Sequence, residues 1–305
     1  MRVQDLSEDD IQHRLRSDGL YFRLGAFTTR VRSDFPAMAT DFRRLYGACE
    51  VDTRDNEITD FFLNLYAPSR TRGVFRPQVM ADVEGPGPFI PLPAKLSLLM
   101  LETAMNWCVA SRVRSVLLLH SAVVEKNGRA VILPGQSGSG KSTLAAALVA
   151  SGWRLLSDEF ALIRLSDGAV LPYPRPISLK NESIERMKGM FPGGTFVGPF
   201  TDTPKGTISY LAAPSSAIEN DQRAAMPRAV IFPTYQSGAA LQSDEWPKAA
   251  GLGRIGLFSV NYTLLGQAGF ETLADLVDRC TIRTVTYSSL DDAIGFVEDT
   301  VGTEA

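Results

Sequence analysis

One short segment constrains this chain more than any other feature: a loop with several glycines between a strand pattern and a helix pattern. It reads Gly135-Gln136-Ser137-Gly138-Ser139-Gly140-Lys141-Ser142 and continues into Thr143. An apolar run at residues 130–133 precedes the loop, and an alanine-rich stretch at residues 142–150 follows it. A strand, a glycine loop and a helix in that order are typical of α/β domains, and we predict that fold class here.

The residue types in this loop suit the binding of phosphate groups. Glycines let backbone N–H groups converge on one anion, and the following helix adds the positive end of its dipole. Lys141 then reaches the β- and γ-phosphates, while the Ser142 hydroxyl binds Mg²⁺. The segment from Gly135 to Thr143 therefore predicts a site for a nucleoside triphosphate with Mg²⁺. A chance run of glycines is the alternative, and the flanking strand and helix patterns argue against it.

Two adjacent carboxylates, Asp158 and Glu159, follow the loop after enough chain for one short helix and one short strand. A right-handed crossover makes that strand parallel to the strand before the loop, so its carboxyl end lies at the same edge of the sheet. We expect one carboxylate to hold the metal and the other to accept a proton from an attacking hydroxyl. The same pattern is also found in solvated turns that follow strands.

His120 interrupts an apolar run that a predicted Asn127-Gly128 hairpin joins to the strand before the loop. A polar ring in such a strand needs a hydrogen-bond partner or a task. It is either a hydrogen-bonded core histidine or a group that contacts the phosphates or the acidic pair. Both interpretations are compatible with the sequence.

A second polar segment, at residues 174–183, contains Arg175 between two prolines, then Lys180 and Glu182. The prolines fix the backbone around Arg175, so this guanidinium and the Lys180 ammonium are candidates to bind phosphate oxygens. Glu182 is a candidate to assist the metal or to cap a helix that begins near Asn181. A surface loop followed by a capped helix explains the segment equally well. Lys205 is a weaker candidate of the same kind.

The composition and a cluster of Gly and Pro residues predict two soluble domains. A Gly/Pro cluster at residues 85–88 predicts a boundary between an N-terminal α+β domain at 1–93 and a second domain at 94–305. Residues 189–226, rich in Gly, Pro, Thr and Ser, are predicted to be a mobile loop.

The net charge of −3 disfavours a nucleic-acid partner, and three scattered cysteines fit a reducing cytoplasm. No apolar run is long enough for a membrane span, so we expect no membrane partner.

The chain resembles HPr kinase/phosphorylase around His120, the glycine loop and residues 152–159, which end in Asp158 and Glu159. It looks more closely like the HPr-kinase-related proteins, which include kinases of ribosomal peptide precursors, and here residues 105–108 and 174–183 add to the likeness. The resemblance implies a fold shared with phosphoenolpyruvate carboxykinase, so we expect a P-loop kinase core of the HPr kinase/phosphoenolpyruvate carboxykinase type after the N-terminal α+β domain.

The resemblance further implies transfer of a phosphoryl group from ATP to a serine of a peptide or small protein. It implies catalytic roles for His120, Lys141 and the acidic pair, and Mg²⁺ ligation by Ser142, with Glu182 as a further match. We expect kinase activity without the reverse reaction, and acceptor selection by residues 1–93. Which of Asp158 and Glu159 is the base stays open, as does self-association. A nucleotide-controlled ATPase or binding module and a small-metabolite kinase remain alternatives.

Overall fold

The computed structural model describes residues 1–51, 58–69, 75–85 and 87–302. It is a mixed α/β protein with several mixed sheets, as the strand and helix patterns predict. The chain divides into two compact units, Met1–Val113 and Arg114–Ala305. Pro86, within the Gly/Pro cluster that predicts the boundary, lies outside the described residues. Within the described part of the chain, no helix has the length and apolarity to cross a bilayer.

The first unit contains a six-stranded mixed sheet with three helices. Its strand order is β3-β1-β2-β4-β5-β6, in which β2 and β4 are parallel and the other neighbours are antiparallel. The strands are β1 (Leu20–Leu24), β2 (Phe27–Ser33), β3 (Glu50–Val51), β4 (Phe61–Tyr66), β5 (Gln78–Asp82) and β6 (Leu92–Pro93). The helices are α1 (Glu8–Arg16), α2 (Met38–Tyr46) and α3 (Ser97–Arg112).

Helix α3 places the division between the units later in the chain than the predicted boundary at residues 93 and 94. It packs on β4 and β5 of the first sheet, its Glu102 carboxylate accepts a hydrogen bond from the Tyr46 hydroxyl, and Arg112 donates to the Val83 carbonyl. The two units divide after α3 and not at the Gly/Pro cluster, because this apolar helix packs on the preceding sheet.

The second unit is built on an eight-stranded mixed sheet. Its order is β11-β10-β7-β8-β15-β17-β16, and β9 pairs with β7 beyond this path. The strands are β7 (Val116–Lys126), β8 (Arg129–Pro134), β9 (Arg154–Ser157), β10 (Phe160–Arg164), β11 (Val170–Leu171), β15 (Met226–Tyr235), β16 (Gln242–Glu245) and β17 (Thr281–Tyr287). Strands β8, β15 and β17 are parallel neighbours, so their carboxyl ends share one edge.

Helices cover both faces of this sheet. Alternate residues of β8 show the division: Val131 and Leu133 pack with α4 (Lys141–Ala150) and α9 (Leu290–Val301), whereas Ile132 packs with α7 (Lys248–Gly256) and α8 (Tyr262–Arg279). Because successive strand residues point to opposite faces, a strand covered on both sides is apolar throughout. The continuous apolar pattern of residues 130–133 has this cause.

A smaller three-stranded sheet replaces most of the predicted mobile loop at residues 189–226. It has the order β12-β14-β13, from β12 (Ile177–Lys180), β13 (Phe196–Thr203) and β14 (Gly206–Leu211). Helix α5 (Glu182–Met190) connects β12 to β13, and the short α6 (Ser215–Glu219) follows β14. The loop prediction was wrong because a turn-rich composition does not reveal that β12 offers β14 a partner edge.

Candidate phosphate-binding and transfer site

The glycine loop passes from β8 into α4 with two residues in the left-handed region, Gly138 at φ 91° and Gly140 at φ 96°. A side chain at Gly140 would come within 2.7 Å of the Tyr287 hydroxyl, so the position is closed to larger residues. The first bond of α4 runs from the Leu144 N–H to the Gly140 carbonyl at 2.9 Å. The N–H groups of the residues between them precede this bond, as helix N-termini that bind anions require.

The sheet holds the loop in place from its carboxyl edge. The Tyr235 N–H at the end of β15 donates to the Ser139 carbonyl at 2.9 Å, and the Tyr287 hydroxyl at the end of β17 donates to the Gly140 carbonyl at 3.3 Å. Within the loop, the Ser139 N–H donates to the Gln136 carbonyl at 3.1 Å. The loop conformation is therefore fixed by two neighbouring strands, not by its own sequence alone.

His120 connects the loop lysine to the acidic pair. The Lys141 Nζ lies 3.2 Å from the ring Nε2 atom, and the ring Nδ1 atom lies 3.1 Å from the Glu159 backbone carbonyl. An ammonium group only donates, so Nε2 accepts and Nδ1 carries the proton that it donates to the carbonyl. Burial, and then the positive charge of Lys141, lower the pKa of His120, which favours this neutral ring. His120 therefore orients the Lys141 ammonium group.

The strand that precedes Asp158 and Glu159 reaches the predicted edge of the sheet without pairing with β8. Strand β9 pairs antiparallel with β7, which lies between β9 and β8, so β9 and β8 run in the same direction without touching. Ser157 pairs with Val123, and Pro134 pairs with Ser121, which brings both strand ends to one level. The acids therefore follow β9 at the same edge as the glycine loop.

The two acids lie in different environments. Asp158 is fully buried, and its Oδ2 atom accepts a hydrogen bond from the Ser178 N–H at 3.0 Å. Burial, and then the charge of Glu159, raise the pKa of Asp158 to about 7, although Lys141 and the Ser142 hydroxyl act in the opposite direction. The Glu159 side chain is 26% exposed, and its Oε2 atom lies 3.8 Å from the His120 Nδ1 atom. Only the second acid is accessible from outside.

A cavity of ≈ 650 Å³ opens beside the loop, within the size range of small-molecule sites. One side, which we call the loop wall, consists of Ser137, Gly138, Gly140, Lys141, Ser142 and Thr143. The other side, which we call the facing wall, consists of Ser178, Lys180, Asn181, Glu182, Ser183, Arg186 and Lys205. Tyr235 and Tyr287 complete the lining. The walls meet where the Lys180 Nζ donates to the Ser137 Oγ at 3.2 Å.

Three lysines converge on this space. Lys141 comes from the loop, Lys180 from the end of β12 and Lys205 from the turn between β13 and β14. Burial, followed by the charges of Lys205 and Lys141, lowers the pKa of Lys180, so the ammonium groups act on one another. Several cations that face one cavity favour a ligand with several negative charges.

The residues around the Asp158 carboxyl group suit a magnesium ion. The Asp158 Oδ1 atom is buried and has no hydrogen-bond partner among the residues that the structure describes, and the Ser142 hydroxyl interacts with the same carboxyl group. Glu182 lines the cavity from the start of α5. No group of three or more His, Cys, Asp and Glu side chains forms a metal site in the described ranges. Magnesium at nucleotide sites needs only one or two protein ligands, because phosphates and water supply the others.

Arg175, which the sequence analysis places on a phosphate, is not part of the cavity lining. Its side chain is 1% exposed, and its guanidinium carbon lies 5.8 Å from the centroid of the Tyr173 ring. The side chain lies in the interior and does not reach the cavity. Lys180, from the same segment, does reach the cavity.

Sequence reasoning missed several lining residues. Ser178 contributes a backbone N–H, which leaves no signal in the side-chain pattern. Tyr235 and Tyr287 end two strands that are parallel to the loop strand, and Arg186 follows Glu182 by one helical turn. The aromatic residue at the carboxyl end of each of these two strands is a usable signal, because ligands bind at this edge of α/β sheets.

Comparison with known families gives one match over part of the chain. The model of the family described as SynChlorMet cassette protein ScmC matches residues 92–178. This range includes His120, the glycine loop and the acidic pair, and it ends at Ser178 in β12. No curated protein matches the chain at a significant level.

Proposed function

We propose that this protein is an ATP-dependent kinase that transfers the γ-phosphoryl group to a serine hydroxyl of a peptide or small protein. One observation carries the proposal: Lys141, oriented by His120 at 3.2 Å, lines the cavity beside the glycine loop, and the buried carboxyl of Asp158 interacts with Lys141 and Ser142 of that lining. A module that only binds the nucleotide, or hydrolyses it slowly, needs only the loop. Phosphoryl transfer also needs cations and a carboxylate at the γ-phosphate.

The loop wall binds the phosphate chain in this proposal. Its N–H groups and the Lys141 ammonium neutralise the β- and γ-phosphates, and Lys180 and Lys205 approach the same oxygens from the facing wall. His120 keeps the Lys141 ammonium directed at the phosphates through the bond to its Nε2 atom. Positioning and charge stabilisation of this kind account for most of the catalysis of phosphoryl transfer.

Asp158 and Ser142 are the residues that would hold Mg²⁺, with Glu182 as a further oxygen ligand. The ion supplies charge neutralisation between neighbouring phosphates when it is bound. The free Asp158 Oδ1 atom suits this role, and the Ser178 N–H fixes the other carboxylate oxygen. Serine, aspartate and phosphate oxygens are the hard ligands that magnesium prefers.

Glu159 is the proton acceptor in this proposal, because accessibility separates the two acids. A serine on a peptide cannot approach Asp158, which is fully buried, but it can approach Glu159 with its side chain 26% exposed. The Glu159 carboxylate lies next to His120 and acts on the charge of Lys180, which places it near the transferred group. It takes the hydroxyl proton as the serine oxygen bonds to phosphorus and the bond to ADP breaks.

The peptide acceptor is supported by the resemblance to HPr-kinase-related proteins around His120, the loop and the acidic pair. The match to the SynChlorMet cassette family spans the same residues and adds no acceptor chemistry. The N-terminal unit remains the proposed source of acceptor selection. The core is accordingly proposed to be a P-loop kinase core of the HPr kinase type.

Transfer of label from γ-³²P-ATP to serine-containing peptides and small proteins tests the proposal. We expect labelled phosphoserine with the wild-type protein and none with Lys141→Met, which retains the apolar stem. Small alcohols added as competing acceptors should not remove the label from the peptide. Release of free phosphate alone with every acceptor would contradict kinase activity, and labelling of the small alcohols would assign a metabolite kinase.

A further inference from the structure

The cavity has two chemically different ends. One end holds Lys180, Lys205 and Ser178, whose N–H binds the Asp158 carboxylate. The other holds Arg186 from α5 and Tyr235 from the end of β15, whose side chains contact each other. A triphosphate with a base at one end has the same asymmetry.

Arg186 and Tyr235 form a fixed pair at the second end. The guanidinium carbon lies 5.1 Å from the centroid of the Tyr235 ring, and the Arg186 Nη2 donates to the tyrosine hydroxyl at 3.1 Å. Tyr287 supports the ring from the side, with centroids 5.9 Å apart and the ring planes at 70°. Tyr235 is 36% exposed, so part of this pair is open to a ligand.

Flat aromatic and guanidinium groups bind nucleobases by stacking, which contributes on the order of 1–3 kcal/mol per base. We propose that Arg186 and Tyr235 form the nucleoside subsite of the cavity and bind the planar base of a nucleoside triphosphate. The inference rests on the proposed function, because it takes the loop wall as the phosphate site. It adds a direction: the phosphate chain extends from Tyr235 along the loop, and the γ-phosphate lies at the Asp158 end.

Tyr287 is distinct from this subsite. Its side chain is 1% exposed, and its hydroxyl binds the Gly140 carbonyl at 3.3 Å. Its contacts hold the loop, so its replacement would disturb phosphate binding as well. Tyr235 reaches the loop through its backbone N–H, which every substitution except proline retains. Tyr235 is therefore the position at which base binding can be altered separately.

Calorimetric titration with two ligands in the presence of Mg²⁺ tests the inference: a non-hydrolysable ATP analogue and inorganic tripolyphosphate, which has no base. Tyr235→Ala should weaken binding of the analogue about tenfold to a hundredfold and change tripolyphosphate binding less than about twofold. Tyr235→Phe keeps the ring and should stay within about threefold for both ligands. Arg186→Ala should follow Tyr235→Ala, whereas Lys180→Ala should weaken both ligands together.

Thermal melts of each variant confirm that the fold is intact. Equal losses for both ligands in Tyr235→Ala, or unchanged analogue binding in both Tyr235→Ala and Arg186→Ala, would overturn the nucleoside subsite and leave the phosphate site standing. A wild-type protein that binds tripolyphosphate as tightly as the analogue would have the same meaning. Failure of the wild type to bind either ligand would overturn the subsite and the proposed function together.

Discussion

The two walls of the cavity differ in how the chain supplies them. The loop wall comes from one continuous stretch between β8 and α4, whereas the facing wall combines β12, the start of α5 and the turn between β13 and β14. The first is readable as a motif because its function depends on consecutive backbone groups. The second is assembled by strand pairing at a distance. In the proposed function the loop wall binds the phosphates, and the facing wall adds the Lys180 and Lys205 cations and the Ser178 N–H that binds Asp158.

Lys141→Met should have the largest effect, because the loop wall loses its only side-chain cation on the phosphates. We expect kcat/KM for peptide phosphorylation to fall at least about a thousandfold, with a far-UV circular dichroism spectrum like that of the wild type. Steady-state labelling assays give the rate. Activity within about tenfold of the wild type would contradict the assigned role of this lysine.

Asp158→Asn and Glu159→Gln should separate metal binding from proton transfer. We expect Glu159→Gln to lower kcat by about a hundredfold or more while the KM for Mg²⁺-ATP stays close to that of the wild type. Asp158→Asn should lower kcat similarly and also raise the Mg²⁺ concentration needed for half-maximal activity. If only Asp158→Asn changes kcat, then the buried acid is the base and the accessibility argument fails.

Lys180→Ala tests the facing wall, and we expect its effect on kcat/KM to be intermediate in size. Loss of this cation should reduce kcat/KM by roughly tenfold to a hundredfold, since charge-assisted contacts to phosphate are worth about 1.5–3 kcal/mol. Lys188→Ala is the matched control on the same segment: Lys188 pairs with Glu185 at 2.8 Å and does not line the cavity. Equal activities of the two variants would remove the facing wall from the reaction.

The smallest expected effect concerns the thermal stability of the protein and its dependence on the buried carboxyl of Asp158. Asp158 titrates near 3.8 when unfolded and at about 7 in the folded protein, so between these values the folded state binds the extra proton. Stability therefore falls as pH rises from about 4 to about 7. In EDTA without nucleotide, Asp158→Asn should melt roughly 3–8 °C above the wild type at pH 8, with the difference lost toward pH 5.

The exposed Asp275→Asn is the control for this melting experiment. It has no contact with the cavity lining and should not reproduce the pH-dependent gain. A constant difference between Asp158→Asn and the wild type from pH 5 to pH 8 would contradict the raised pKa of the buried acid.

The sequence predicts the loop wall well and the facing wall poorly, for physical reasons. The glycines, Lys141 and Ser142 act within one turn of chain, so their spacing determines their geometry. The Asn127-Gly128 hairpin is confirmed, since both residues have positive φ between β7 and β8. That hairpin accounts for His120 lying near the loop, because it places β7, which contains His120, beside β8, which leads into the loop.

Long-range pairing explains what the sequence does not reveal. The direction of the Arg175 side chain depends on which face of its segment the core covers, and residue spacing does not determine this. Lys205 enters the cavity because β14 pairs with β12, although its surroundings resemble a loop. The end of α3 joins the first unit for the same reason, because apolarity shows that a helix is buried but not against which sheet.

A crystal structure with a non-hydrolysable ATP analogue and Mg²⁺ tests the central claim most directly. We predict phosphate density against the N–H groups of the loop from Gly138 to Ser142, with the metal next to the Ser142 hydroxyl and the Asp158 Oδ1 atom. The γ-phosphate should lie at the end of the cavity nearest Glu159 and Lys180. Phosphates bound elsewhere at saturating ligand, or a metal remote from Asp158, would contradict the account.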